Sequence, residues 1–169
     1  MSLEPTVATI HIRVQPEPID THAEQETLWR GNARVGALVT FVGIMRDLSG
    51  GAEVKAMTLE HYPGMTERAL GAIANEAVRR WDLQGLTIVH RVGPLASQDP
   101  IVLVGVSSAH RREAFRACEF LIDYLKTRAP FWKKETTASG ERWVEPRDVD
   151  EEAAGRWSQG PGGPTSSEP

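Results

Sequence analysis

The chain carries a single cysteine, Cys118, in 169 residues. That excludes an internal disulfide framework and any metal site built from several cysteines. The five histidines, His11, His22, His61, His90 and His110, are scattered, and no two stand at helical ligand spacing. Long apolar runs are also missing: none approaches the roughly 20 residues of a membrane-spanning helix. So is a basic surplus. Nineteen Lys and Arg against 23 Asp and Glu leave a net charge of −4, the wrong sign for a broad nucleic-acid surface. A small anion pocket stays open, because a few cations can converge inside an acidic shell. The absence of a Gly-rich phosphate loop speaks against a nucleotide site. The opening MSLEPTVATIHIRV has no basic stretch followed by an apolar block, so no secretion signal is expected. Together these absences describe a cytoplasmic protein with no structural metal and no cofactor. Any sulfur chemistry would then use Cys118 or sulfur brought by a partner.

What is present is ordinary soluble composition, 40% hydrophobic and 25% charged, at a length that suits one domain. Residues 7–15 alternate as a strand does. A short helix comes next, with Asp20 or Thr21 as its N-cap. Val35 to Arg46 is rich in β-branched and aromatic residues and reads as a long strand. After the loop DLSGG, residues 53–62 return as a second strand, and the two are expected to form a hairpin. Leu70, Ile73, Ala74, Ala77, Val78 and Trp81 recur at spacings of three and four, which predicts a helix from Pro63 to Trp81. LTIVHRVGPL and PIVLVGVSS read as strands, the second covered on both faces. A second helix is expected from Ala109 to Thr127, its core stripe Phe115, Cys118, Ile122 and Leu125. Pro130 ends it, since a residue before proline avoids the helical region. FWKKETTASGERWVE then reads as a hairpin turning at Ser139-Gly140. The order of elements indicates an α+β domain over residues 1–150. Residues 151–169, filled with Gly, Pro and Ser, read as a disordered tail.

Several residues are suited to chemistry, each with an ordinary structural alternative. His110, Arg111 and Arg112 open a helix, where free N–H groups and cations together suit an anion; they equally suit solvent. Arg46, at a strand end beside a loop, is placed for a bidentate anion contact or for a solvated charge closing an edge. Lys126 in a last helical turn complements the helix dipole. Lys133 and Lys134 are adjacent in a strand, so they point to opposite faces and at most one can join Lys126. Two ammonium groups about 6 Å apart would repel by on the order of 2–3 kcal/mol at an effective dielectric near ~20. That is roughly two pKa units, enough to bring one lysine towards neutrality as a nucleophile or general acid/base. Cys118 shares a stripe with apolar residues and reads as core. His61 and His90 lie near strand ends, where either a functional role or, by preference, packing or an interface suits them.

Taken together and in this order, FVGIMRD, LEHYPGM, HRVGPL, SAHRREAF, DYLKTRAPFWKKE and ERWVEPR resemble the large, catalytic subunit of molybdopterin synthase. The similarity runs from about Val7 to Arg147, and DYLKTRAPFWKKE is its specific part. The resemblance implies an α/β hammerhead-type domain with an added antiparallel β subdomain. It implies a homodimer that binds a small ubiquitin-like sulfur-carrier subunit at each end, a heterotetramer in all. The partner's Gly-Gly terminus would carry a thiocarboxylate, and two sulfurs would pass to cyclic pyranopterin monophosphate to form molybdopterin. By matching position, Lys126 and Lys133 are the catalytic candidates. Ile44, Met45, Arg46, His110, Arg111, Lys134, Glu135 and Arg147 are the candidates for substrate binding, with Ile44, Met45, Lys134 and Glu135 lining the site partly through backbone contacts and Arg147 reaching the neighbouring subunit's pocket. Phe41 would pack beside the partner's tail. The competing reading is a non-catalytic scaffold that holds a ubiquitin-like tail or a pterin without converting it.

Overall fold

The apolar run IVLVGV lies inside a sheet covered on both faces, and the rest of the fold is arranged about it. The computed structural model describes residues 7–46, 48–49, 52–144 and 148–158. In chain order the elements are β1 (Thr9–Gln15), α1 (Thr21–Thr27), β2 (Ala37–Ile44), β3 (Leu48–Ser49), β4 (Ala52–His61), α2 (Met65–Arg80), β5 (Gly85–Arg91), β6 (Gly93–Ala96), β7 (Pro100–Ser108), α3 (Arg111–Arg128), β8 (Phe131–Thr137), β9 (Gly140–Trp143) and α4 (Asp148–Gly155). The first sheet runs β1-β5-β7-β2, with β1 parallel to β5 and the other pairs antiparallel. The second runs β3-β4-β8-β9, with β6 also on β4. No helix among the described residues is long and apolar enough to cross a membrane.

Alternation along β5 and β7 divides the first sheet's side chains between two cores. Leu86, Ile88, Val102, Val104 and Val106 face α2 and α3, which bring Leu70, Ile73, Ala74, Ala77, Ala117, Phe120 and Leu121. Val89 and Leu103 face the other way with Ile19. There Leu28, the residue that ends α1, lies against Gly85 and Gly105, where added Cβ atoms would stand 3.3 and 2.4 Å from its methyl carbons. Asp20 caps α1 as its side chain suggests, accepting from the Ala23 N–H at 3.0 Å. A separate cluster of Met45, Met57, Leu59 and Leu95 serves the second sheet.

Five expectations change. The strand of residues 37–44 does not form a hairpin with the strand of residues 52–61. β2 pairs along its length with β7, and β4 pairs with β8 and β6; the DLSGG loop closes only the two-residue β3 onto β4. Both partners are distant in sequence, so local turn chemistry carried no sign of them. LTIVHRVGPL is two strands in two sheets, broken at Val92 before Gly93, whose φ of 81° suits glycine. Phe115 is 61% exposed, not core. The buried stripe of α3 runs instead through Ala114, Ala117, Cys118, Phe120, Leu121 and Leu125, and Phe115 lies outside it. The hairpin turns one residue earlier than expected, at Ala138-Ser139, because Thr137 and Gly140 already pair. Finally, residues 148–155 form a helix, and Trp157 beyond it docks edge-on against Trp81 and Phe120, each centroid 5.6 Å away. Its indole donates to Asp123 at 2.7 Å, and its carbonyl accepts from Arg80 at 2.8 Å. Residues 151–158 therefore differ from the structureless tail their composition suggested.

Candidate active site

The turn between α3 and β8 is built by local rules. Lys126 and Arg128 occupy the last turn of α3, where cations complement the helix dipole. Ala129 leaves the helical region at φ −84°, ψ 129°, as a residue before proline must. Two buried side chains then hold Pro130 and Phe131. The Thr66 hydroxyl, in the first turn of α2, donates to the Pro130 carbonyl at 3.1 Å and accepts from the Tyr62 N–H at 3.1 Å. The His90 ring, at the end of β5, stacks on Phe131 with centroids 3.8 Å apart and 17° between planes.

Lys126 and Lys133 are both exposed, on either side of this turn. Lys133 lies close enough to His90 for its charge to act on the imidazole. Lys134 turns away, as strand alternation requires. It pairs with Glu141 at 2.8 Å, lies 5.9 Å from the Trp143 ring centroid, and is held above the usual lysine range by the bond to Glu141. Glu135 is buried, and its carboxylate takes Arg142 Nε at 3.0 Å and Nη2 at 2.9 Å across the hairpin. The side chains of Lys134 and Glu135 are thus engaged within the β8–β9 ribbon.

Register places the remaining candidates. Ile44 stands opposite Pro100 and His90 opposite Val102, so the end of β2 and the end of β5 lie at one edge of the first sheet. α3 packs back along β7 and β2 and delivers Lys126 to that same edge, where Phe131 meets His90. Ile44 and Arg46 are exposed there. Met45 is not: only 4% of it is accessible, and its N–H and C=O bond to the Asp99 C=O and Gln98 N–H, both at 2.9 Å. Its side chain fills the cluster of the second sheet, which leaves its backbone for the lining role expected of it. Phe41 is partly exposed midway along β2, opposite Val104.

His110 and Arg111 are elsewhere. They start α3 at the end of β7 where Ser108 pairs with Ala37, the opposite edge of the sheet. Fifteen residues of helix separate Arg111 from Lys126, about 22 Å at ~1.5 Å per residue. A single chain therefore holds two cationic groups, one at each end of α3. Both are exposed, and His110 makes no side-chain capping bond. Arg147 lies outside the described residues.

Two residues that pattern reading treated as packing or passed over, His90 and Thr66, are the ones that touch the turn. Burial holds His90 well below its usual range, at about 4, and the charges of Lys133 and His61 act in the same direction. Its neighbour Arg91 is buried and donates to the Pro16 carbonyl at 3.0 and 3.3 Å and to the Asp99 carboxylate at 3.4 Å. Cys118 is core as expected: burial pushes its thiol up to about 11, against an opposing hydrogen bond with the Phe41 backbone. No group of three or more His, Cys, Asp or Glu suited to a metal ion occurs among the described residues.

Fold and site thus define an α+β protein with lysines and an arginine exposed at one edge of a mixed sheet and a second cationic group at the other. The MoaE protein family matches residues 14–128. A molybdopterin synthase catalytic subunit from Pseudomonas aeruginosa is 57% identical over 148 residues, covering 88% of this chain and 99% of that protein. Among solved structures, the molybdopterin biosynthesis MoaE protein from Burkholderia ambifaria is 54% identical with a TM-score of 0.75, over 89% of this chain and 98% of that one. Molybdopterin synthase from Staphylococcus aureus is 35% identical with a TM-score of 0.71, over 85% and 99%. This chain belongs to the MoaE family.

Proposed function

We propose that this chain is the catalytic subunit of molybdopterin synthase and acts as a sulfurtransferase in the cytoplasm. Two sulfurs pass to cyclic pyranopterin monophosphate, one from the C-terminal thiocarboxylate of each of two copies of a small ubiquitin-like partner, and each donor is left with a carboxylate. The observation that carries this reading is the 57% identity to a molybdopterin synthase catalytic subunit across nearly the whole of that protein. The chemistry agrees with it. The chain's one thiol is buried and held protonated up to about 11, so it is a poor sulfur donor, and sulfur must arrive from outside.

In this reading the exposed edge bearing Arg46, Lys126 and Lys133 is the reaction site. Lys126 polarises the thiocarboxylate carbonyl or moves protons during thiol addition, and Lys133 stabilises the negative charge that develops. Arg46 holds an anionic group of the substrate, and Ile44 and Phe41 flank the incoming tail. Lys134 and Glu135 contribute through the backbone of β8, since their side chains are engaged with Glu141 and Arg142. His110 and Arg111 stand about 22 Å from Lys126 along α3, so they serve a site only if a second copy presents its α3 start to the first copy's lysines. A homodimer with one small subunit at each end meets that requirement, and Arg147 belongs to the same cross-subunit contribution.

The direct test is Lys126→Ala assayed with thiocarboxylated partner and cyclic pyranopterin monophosphate. Loss of a general acid/base lowers turnover by about 10²–10⁴-fold. Near-normal turnover would sink the catalytic assignment. Binding of both ligands by the wild-type chain with no sulfur transfer would make it a scaffold.

A further inference from the structure

Two motifs in this chain have no part in the chemistry above: LEHYPGMT around His61 and Thr66, and HRVGPL around His90. They come from different elements and meet at one place. Thr66 is fully buried, and its hydroxyl bridges the Tyr62 N–H and the Pro130 carbonyl, 64 residues away. His90 is 5% exposed and stacks on Phe131 at 3.8 Å. Its Nδ1 lies 2.8 Å from the Arg91 carbonyl, which fixes the tautomer with the proton on Nδ1 and sets the ring's angle. His61 pairs with Phe131 across the β4–β8 ladder. Three separate elements (α2, β4 and β5) therefore converge on Pro130–Phe131, two residues before Lys133.

We propose that Thr66 and His90 are positioning residues that clamp Pro130 and Phe131 and thereby set the place of Lys133 relative to Lys126. The inference rests on the catalytic reading of the two lysines. The physical need is plain. Lys126 rides on a helix and Lys133 on a strand; the β4–β8 ladder holds the Lys133 backbone opposite Leu59, and what the clamp adds is a fixed junction between that ladder and the end of α3. A hydroxyl on the carbonyl at the turn and a flat ring on the next side chain fix two successive residues. Because the clamp is neutral at physiological pH, it adds no third cation beside the lysines. Misplacing a catalytic group by about 1 Å costs as much as a hundredfold in rate, so a clamp of this kind acts on turnover and not on substrate affinity.

The test uses full-length chain with its small partner. Thr66→Val removes the hydroxyl at nearly constant volume, and Thr66→Ser restores it; His90→Ala removes the stacking ring. Thermal melting and partner affinity are measured first to confirm folded chains. Thr66→Val and His90→Ala are expected to lower kcat by roughly ten- to a hundredfold with KM little changed, and Thr66→Ser to recover most of the loss. On a Lys133→Ala background, Thr66→Val should cost little more, because its effect runs through Lys133. Equal losses on both backgrounds overturn the proposal, as does a change confined to KM. A second readout is independent of turnover: amide hydrogen exchange over residues 131–135 rises in Thr66→Val and not in Thr66→Ser. Unchanged exchange overturns the clamp even where sulfur transfer is found. Raised exchange in a wild-type background that makes no product keeps the clamp and sinks the catalytic reading instead.

Discussion

Acidification probes His90 directly. The ring is 5% exposed, and its pKa is lowered from 6.5 to about 4, chiefly by desolvation and then by the charges of Lys133 and His61, with the Arg91 carbonyl opposing. The unfolded chain therefore binds a proton near pH 6.5 that the folded chain refuses until about pH 4. Stability contributed by the neutral ring is complete above 6.5 and is lost as the pH falls through that window. Linkage between these two values gives a loss of about 2 kcal/mol by pH 5 and about 3 kcal/mol by pH 4. Other groups titrate over the same range, so the measurement is a difference. Urea denaturation of wild type and His90→Phe is followed from pH 7.5 to pH 4.5; the phenyl ring can still stack on Phe131 but takes no proton. His90→Phe loses the bond to the Arg91 carbonyl, a roughly pH-independent offset of about 1 kcal/mol. The wild-type curve is expected to fall more steeply with acid, so the two converge or cross. Parallel curves would mean that His90 titrates as an exposed histidine does, and the stacked, desolvated ring would be wrong.

Two further outcomes test the packing around the site. Trp157→Ala removes the indole that packs on Trp81 and Phe120 and bonds Asp123. Its urea midpoint is expected to fall by the equivalent of about 2–4 kcal/mol, and an unchanged midpoint would detach α4 from the domain. Cys118, buried with its thiol pushed up to about 11, is expected to react with an aromatic disulfide reagent orders of magnitude more slowly in native than in denatured chain; comparable rates would refute its burial.

Much of this protein is legible from residues a few positions apart. Asp20 as a cap, the stripe Leu70–Ile73–Ala74–Ala77, the stop before Pro130, and the opposed faces of Lys133 and Lys134 all arise from backbone sterics and periodicity, which act within one turn or one pleat. The run IVLVGV declared a strand covered on both faces for the same reason. Cys118 was placed in the core by its spacing, and burial supplied the rest. Pattern alone did not say which of several good strands would pair. β2 pairs with β7, not with β4, because matching two apolar faces across some sixty residues is a property of the whole chain. Phe115 faced outwards for a similar reason: periodicity marks an apolar sector, and packing on the sheet decides that Ala114, Ala117, Cys118 and Leu121 occupy its buried part. The site divides along the same line. Its cations were visible as residue types, but only register and the length of α3 show Arg46, Lys126 and Lys133 at one edge and His110 with Arg111 at the other. Thr66 reaching Pro130 across 64 positions left no local trace at all. Contacts between neighbours in sequence are written into their spacing; contacts between distant elements exist only once the chain has chosen its partners.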